Sequence, residues 1–346
     1  MKRVNWKVTP IAQCSDQLWQ QWQTLYEQFH SHNPMLDPRF VSTLVKYYPA
    51  NIDVVIGHVD SEVVAILLLQ KTGFGCWKNY MPSQSQIGFL LLAPAVDFNS
   101  AGLISALGGQ AIKLDLLSLD PQEHHGAIHN ISQLQHHAKN IKLALDNDFD
   151  TYWGSRPKRL RKDMAQSFNR LAKSKINLSY KVTTAQHEMA AAVDRYGMLE
   201  SQGWKGRNGT AIHPANTQGQ FYEALLERFA DNQQALVFES YVDDNLVASR
   251  LCIFNAHNLI ILKTTFDEQY SRYSLGNVNR YQLIEYLFSA QVSKYIDFYT
   301  NASKEQLYWS TEQRSMFNGS CYRFPVVERG IGLIKKLKKS DSVTRK

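Results

Sequence analysis

The spacing of apolar residues divides the chain into short helices and strands. Leu18, Trp22, Leu25 and Phe29 recur at helical intervals behind Ser15, which predicts a capped helix after a first strand at 4–10. A loop at 30–37 and a helix at about 39–48 follow. Apolar runs at 52–58 and 62–70, separated by Asp60-Ser61, predict a strand pair. The aromatic, glycine-bearing region 74–85 is read as irregular. Beyond it come a strand at 86–92, a short helix at 100–107, a strand at 112–119, a histidine-rich helix at 121–137 and a strand at 141–145.

The second half repeats that order. A helix from Ser155 to about 175 leads in, with Ser155 as its cap and Pro157 in its first turn. Next are a strand at 177–184, a helix at 185–200, a loop at 201–210 and a helix at 217–231. A hairpin at 235–242 and 246–255 turns at Asp243-Asp244-Asn245. The most informative stretch is 258–301. Its run 259–266 is β-branched and apolar, as in a strand buried on both faces. A polar loop with Gly276, a helix at 278–293 and a strand at 295–299 come after. A helix start beside a strand end gathers free amide hydrogens and the positive end of the helix dipole, which suits a phosphate. A helix at 304–314 and a strand at 321–327 close the pattern. The fold class expected is mixed α/β, with an internal duplication inferred from element order alone. The domains expected are 1–150, a basic linking helix at 151–176, 177–330, and a basic tail at 331–346.

Composition narrows the partners. A chain of 346 residues with formal charge +7 suits an anionic partner. The densest basic segment is the linking helix, with Arg156, Lys158, Arg159, Arg161, Lys162, Arg170, Lys173 and Lys175 around Leu160, Met164, Phe168 and Leu171. It reads either as a solvated face or as a wall beside a groove for an anion. No apolar run is long enough for a membrane span or a signal peptide, so a cytoplasmic location is expected. Four cysteines without paired spacing read as reduced, packed thiols. His125 and His129 have i, i+4 spacing, but no nearby Asp or Cys completes a ligand set and no metal is expected.

Four segments carry a resemblance. They are Arg159, Arg161-Lys162 and Arg170-Leu171; Leu199-Glu200 with Trp204-Lys205-Gly206 and Gly209-Thr210; Lys263-Thr-Thr-Phe-Asp267 with Tyr270, Tyr273-Ser274 and Gly276; and Ile296-Asp297-Phe298 before Tyr308. In this order they resemble the GNAT acyltransferases, and more narrowly the CelD/BcsL-type double-GNAT branch related to the FemAB aminoacyl transferases. The phosphate loop departs from the usual GNAT pattern, reading Tyr273-Ser-Leu-Gly276-Asn-Val278.

The resemblance implies two tandem GNAT-like domains, each a mostly antiparallel mixed sheet flanked by helices. It also implies acetyl-CoA or another acyl-CoA as co-substrate and an amine acceptor, either a small molecule or a sugar-linked envelope precursor. Thr264, Thr265 and Phe266 would line the pantetheine; Arg272, Tyr273, Ser274, Gly276 and Asn277 would shape the phosphate site. Asp267 and Glu200 are the candidate bases, and Tyr308 the candidate acid for the leaving thiolate. Trp204, Lys205 and Arg159 would meet the substrate. Transfer from an aminoacyl-tRNA is the rival enzyme reading, favoured by the basic helix and tail. A non-catalytic module that binds an anionic polymer or a protein is the third.

Overall fold

The computed structural model describes residues 4–328, apart from 95, 97, 132 and 325. The strands are β1 Asn5–Pro10, β2 Ile52–Val59, β3 Glu62–Gly73, β4 Cys76–Asn79, β5 Leu90–Leu92, β6 Lys113–Leu119, β7 Gln133–Ala144, β8 Leu178–Thr183, β9 Ala235–Val242, β10 Asn245–Phe254, β11 Asn258–Phe266, β12 Tyr295–Asp297 and β13 Glu312–Tyr322. The helices are α1 Gln17–Leu25, α2 Pro38–Tyr47, α3 Ser100–Ala106, α4 His125–Ile128, α5 Phe149–Ser155, α6 Lys158–Lys173, α7 Met189–Gln202, α8 Trp204–Arg207, α9 Thr217–Ala230, α10 Leu275–Ala290 and α11 Lys304–Leu307.

Two compact units result. The first holds 4–30, 50–138 and 315–328; the second holds 31–49 and 139–314. In the first unit the strand order is β1-β2-β3-β4-β6-β13, with β5 on β3. Leu67, Leu69, Phe98, Ile104, Leu114 and Leu116 make its core. In the second the order is β7-β12-β11-β10-β9-β8. One face of that sheet carries α5, α6 and α10, whose Met164, Leu171, Leu283 and Leu287 pack on Phe238, Leu259 and Ile261. The other carries α7 and α9, with α2 lying on α9. There Phe221 meets Phe40 and Tyr48 edge-on at 6.2 and 5.6 Å. The last strand of each sheet comes from the opposite half of the sequence: β7 closes the second unit, and β13 closes the first.

Local chemistry explains the boundaries. The β9–β10 turn places Asp243 and Asp244 at positive φ, the hairpin geometry that matches strand twist. Asn216 starts α9 by accepting the Gly219 amide at 2.9 Å. Several expectations change. Residues 121–137 are not one helix: only the short α4 forms, and His136 and His137 lie in β7. The strand through Ile141 and Leu143 extends back to Gln133, where residues 133–137 carry one apolar side chain, the exposed Leu134, and no helical stripe. Ser155 ends α5 and Pro157 caps α6, because a proline fixes the residue before it in an extended conformation. The helix expected at 304–314 stops at Leu307, and β13 takes Glu312–Tyr322 in place of the strand at 321–327. The basic tail, 331–346, lies outside the described residues.

Candidate active site

The centre of the second unit is a bulge. Opposite β10, Leu251 pairs with Lys263 and Cys252 with Ile261, so Leu262 is an extra residue in β11. A bulge re-aims the side chains beyond it. Thr264 thereby reaches toward α10, where its Oγ1 accepts from Arg250 at 2.8 Å. Lys263 points to the opposite face, its Nζ 5.6 Å from the centre of the Tyr222 ring on α9.

Past Ile260 the sheet opens. β11 pairs in parallel with β12 only at Asn258↔Tyr295, Leu259↔Ile296 and Ile260↔Asp297. β11 then runs six residues further, whereas the chain after β12 stays with β7 through Phe298 N–H to Ile141 O at 3.1 Å and Ala302 N–H to Lys139 O at 2.9 Å. Asp297, buried, holds this divergence by accepting from Asn140 and Arg314, both at 2.7 Å.

The start of α10 faces the open end. The helix begins at Leu275, three residues earlier than its apolar spacing indicates, so Gly276 is its second residue and not part of a loop. Ser274 enters it in the left-handed region, φ 55°. The Asn277 and Val278 amides both turn to the Ser274 carbonyl; those of Leu275 and Gly276 take no acceptor among the described residues. A Cβ on Gly276 would lie 3.1 Å from the Phe266 ring, so the missing side chain lets that ring close over the first turn. Arg272 lies beside it, stacked at 4.5 Å on Tyr273, whose hydroxyl donates to Ser174 at 3.0 Å.

Arg250 ties these parts together. Its guanidinium donates to Asn279 Oδ1 at 2.7 Å, Thr264 Oγ1 at 2.8 Å and the Gly276 carbonyl at 2.8 Å. All three acceptors are neutral, and burial lowers its pKa to about 9.

On the α7 side a small cleft of about 50 Å³ is lined by Glu200, Gly203, Trp204, Lys205, Thr264, Thr265, Phe266 and Glu268. Glu200 is 2% exposed. It accepts from Tyr196 Oη at 3.0 Å and from the Ile212 amide at 2.8 Å, and it pairs with Lys205. Trp204 is 54% exposed and forms the lip. Its amide and Arg207 both donate to Glu268 at 3.1 Å, and the amide hydrogen bond holds that carboxyl below its ordinary range. Behind the cleft, burial pushes the Tyr196 hydroxyl well up and Lys263 down.

The fold therefore brings Glu200, Trp204, Lys205, Thr264, Thr265 and Phe266 into one cleft and gathers Arg272, Tyr273, Ser274, Gly276 and Asn277 at the start of α10. Three residues lie apart. Asp267 lines a separate cleft of about 440 Å³ with Arg195, Met198, Gln202 and Tyr270, and its Oδ1 caps the following turn through the Gln269 amide at 2.8 Å. Tyr308 is half-buried against the core after α11. The Arg159 side chain is 71% exposed and stands 3.9 Å from Asp163. His125 and His129 touch ring to ring at 4.1 Å, and no group of three metal-ligating side chains occurs among the described residues. Lys263, Arg250 and Glu268 have no role that the sequence alone assigns. The available signal is a single cation inside an apolar strand, in Lys263 and again in Arg250.

Residues 158–306 match the model of the acetyltransferase (GNAT) domain. No curated protein sequence matches the chain. Among solved structures, FemX aligns at TM-score 0.58 with 10% identity, over 87% of this chain and 95% of that one. The C-terminal domain of a putative lysylphosphatidylglycerol synthetase from Agrobacterium fabrum aligns at 0.56 and 12%, over 90% and 93%. A tandem GNAT protein from the clavulanic acid biosynthesis pathway aligns at 0.50 and 13%, over 93% and 99%. The fold is that of tandem GNAT proteins, and the domain match makes this chain an acyltransferase.

Proposed function

We propose that the second unit transfers an acyl group from an acyl-CoA, acetyl-CoA in the simplest case, to an amine. The observation that carries this reading is the parting of β11 from β12 after Ile260 and Asp297, with the start of α10 beside the gap. A strand edge of unpaired backbone suits an amide-bearing pantetheine arm, as a strand partner would. The Leu275 and Gly276 amides, with Arg272 nearby, suit the pyrophosphate. The strand amides past the bulge are the donors for the developing oxyanion.

The amine would enter the cleft lined by Glu200, Trp204 and Lys205. Glu200 fixes Lys205 and Tyr196 there, Trp204 walls the opening, and Asp267 and Tyr308 remain candidates for proton transfer from their separate places. An amino sugar or envelope precursor as acceptor, and membership of the CelD/BcsL-type branch, rest on the sequence resemblance.

A melting experiment tests the donor. Acetyl-CoA at about 100 times its Kd adds roughly 2.7 kcal/mol of stability by mass action. Gly276→Asp places a negative charge at a helix start, which the dipole favours, but repels a phosphate. The variant is expected to keep its fold, with the Phe266 ring shifted off the first turn, and to lose the acetyl-CoA response. A variant that keeps the response would remove the helix start from the donor site. The aminoacyl-tRNA reading draws on the exposed basic face of α6. For it, tRNA in place of acetyl-CoA gives the shift, with a steep dependence on salt.

A further inference from the structure

The two clefts of the second unit adjoin. Leu199 and Gln202 of α7 line the larger one, and Glu200 and Gly203 line the smaller. After β11, Asp267 and Gln269 line the larger and Glu268 the smaller. At about 50 Å³ the smaller cleft has room for little more than a terminal amine, since one water takes up about 30 Å³ of liquid. At about 440 Å³ the larger falls in the range of small-molecule sites, roughly 300–1,000 Å³.

The charges that line the larger cleft do not balance. Arg195 is already paired, its guanidinium donating to the buried Glu239 carboxylate at 2.9 and 2.8 Å. Asp267 Oδ1 accepts the Gln269 amide at 2.8 Å, and no cation stands at ion-pair distance from that carboxylate among the described residues. One half-buried negative charge is therefore left unopposed, in a chain of formal charge +7. Tyr270 lines the same cleft, its ring centre 6.3 Å from that of Tyr273. An aromatic face near a carboxylate attracts a cation. Leu199, Leu246 and Met198 add an apolar wall, with Met198, an adaptable side chain, 60% exposed.

We propose that the larger cleft is a binding site for an organic ammonium group on an aliphatic stem, with Asp267 as its counter-ion and Tyr270 as the aromatic wall. The stem lies along Leu199, Leu246 and Met198. The carboxamides of Gln202 and Asn245, which both donate and accept, meet hydroxyl or amide groups on it. An anion is repelled by Asp267. A metal ion fits poorly, because one carboxylate is far short of the roughly six to eight oxygens that calcium takes. On the acyl-transfer reading, on which this part of the inference rests, the bound group is the end of the acceptor that is not acylated. It is held there while the reacting amine enters the smaller cleft.

The test is a calorimetric titration of the full chain with cadaverine and with 1,5-pentanediol, which has the same stem and no charge. Cadaverine is expected to bind, and the diol to bind at least about 10-fold more weakly. Asp267→Asn keeps an oxygen to cap the turn and removes the charge. It is expected to weaken cadaverine about 10-fold or more. Gln202→Glu adds a second carboxylate to the cleft and is expected to tighten cadaverine severalfold, a gain that a misfolded variant cannot give. A parent chain that takes the diol as well as the diamine, or takes neither, overturns the proposal. So does parental affinity for cadaverine in either variant. The acetyl-CoA melting shift is measured in parallel. Its absence, with cadaverine binding intact, brings down the donor reading and leaves the ammonium site standing.

Discussion

Single side chains in this protein carry opposed costs, and magnitudes decide between them. Burying the Arg250 charge without a carboxylate costs several kcal/mol. Three hydrogen bonds from a cation, each worth about 1.5–3 kcal/mol, offset that cost. The result is a guanidinium whose pKa falls only to about 9, still charged at neutral pH and able to hold Thr264, Gly276 and Asn279 in place. His124, in the first unit, resolves the same conflict the other way. Its Nδ1 accepts the Asp120 amide at 2.9 Å, which leaves the proton on the buried Nε2. Burial lowers its pKa to about 4, although Glu123 and Asp120 favour the cation. The unfolded histidine, near 6.5, binds the extra proton first. Stability is therefore complete above about pH 6.5 and is lost as pH falls toward 4, by roughly 3 kcal/mol from this group. Melting temperatures across pH 4–7 check this, with His124→Gln expected to flatten the slope. An equally steep slope in the variant would assign the effect to other groups.

At the scale of elements, the acceptor cleft depends on one short helix. α8 sits so close to the end of α7 that a Cβ on Gly206 would lie 1.9 Å from the Ser201 carbonyl. That neighbour is backbone and cannot turn aside. Gly206→Ala must displace α8 and with it Trp204 and Lys205, at a cost of about 1–3 kcal/mol. The expected outcome is a lowered melting temperature together with altered quenching of tryptophan fluorescence. An unchanged spectrum and melting point would mean that α8 does not hold Trp204 as described. The start of α10 depends on local geometry in the same way. Apolar spacing places the helix from 278, because Leu275, Gly276 and Asn277 give no stripe. The turn at Ser274, φ 55°, extends it upstream and puts Gly276 under Phe266. Elements with long apolar stripes are legible in the sequence, as α7 and α9 are. Short elements governed by caps and turns, such as α8, α4 and α11, are not, since four residues carry too little periodicity.

On the scale of the whole molecule, each compact unit draws on both halves of the chain. Within the second unit, residues 139–144 of β7 cover the edge of β12, with Tyr295↔Ala144, Ile296↔Leu143 and Asp297↔Lys142, and α2 covers α9. A fragment 177–346 keeps the expected second domain but lacks both. It would bare the β12 edge and leave Phe221 without Phe40 and Tyr48; losing the packing of one such aromatic costs about 3–5 kcal/mol. The fragment is expected to be insoluble or to lack near-ultraviolet circular dichroism, and co-expression with 1–176 to restore it. A fragment that folds by itself would show that β7 and α2 are dispensable.

The sequence by itself determined most of the order of elements, outside 74–85, 121–137 and 304–327, and the middle strand with its lone lysine. These come from spacing and residue type, which act over a few neighbours. Only the tertiary structure decided that β11 parts from β12, that a bulge at Leu262 sets which face Lys263 and which face Thr264 meets, and that Asp267 and Glu200 line different clefts. A strand's register is set by its partners, here β10 for β11 and the distant β7 for β12, and one extra residue reverses which face every later side chain meets.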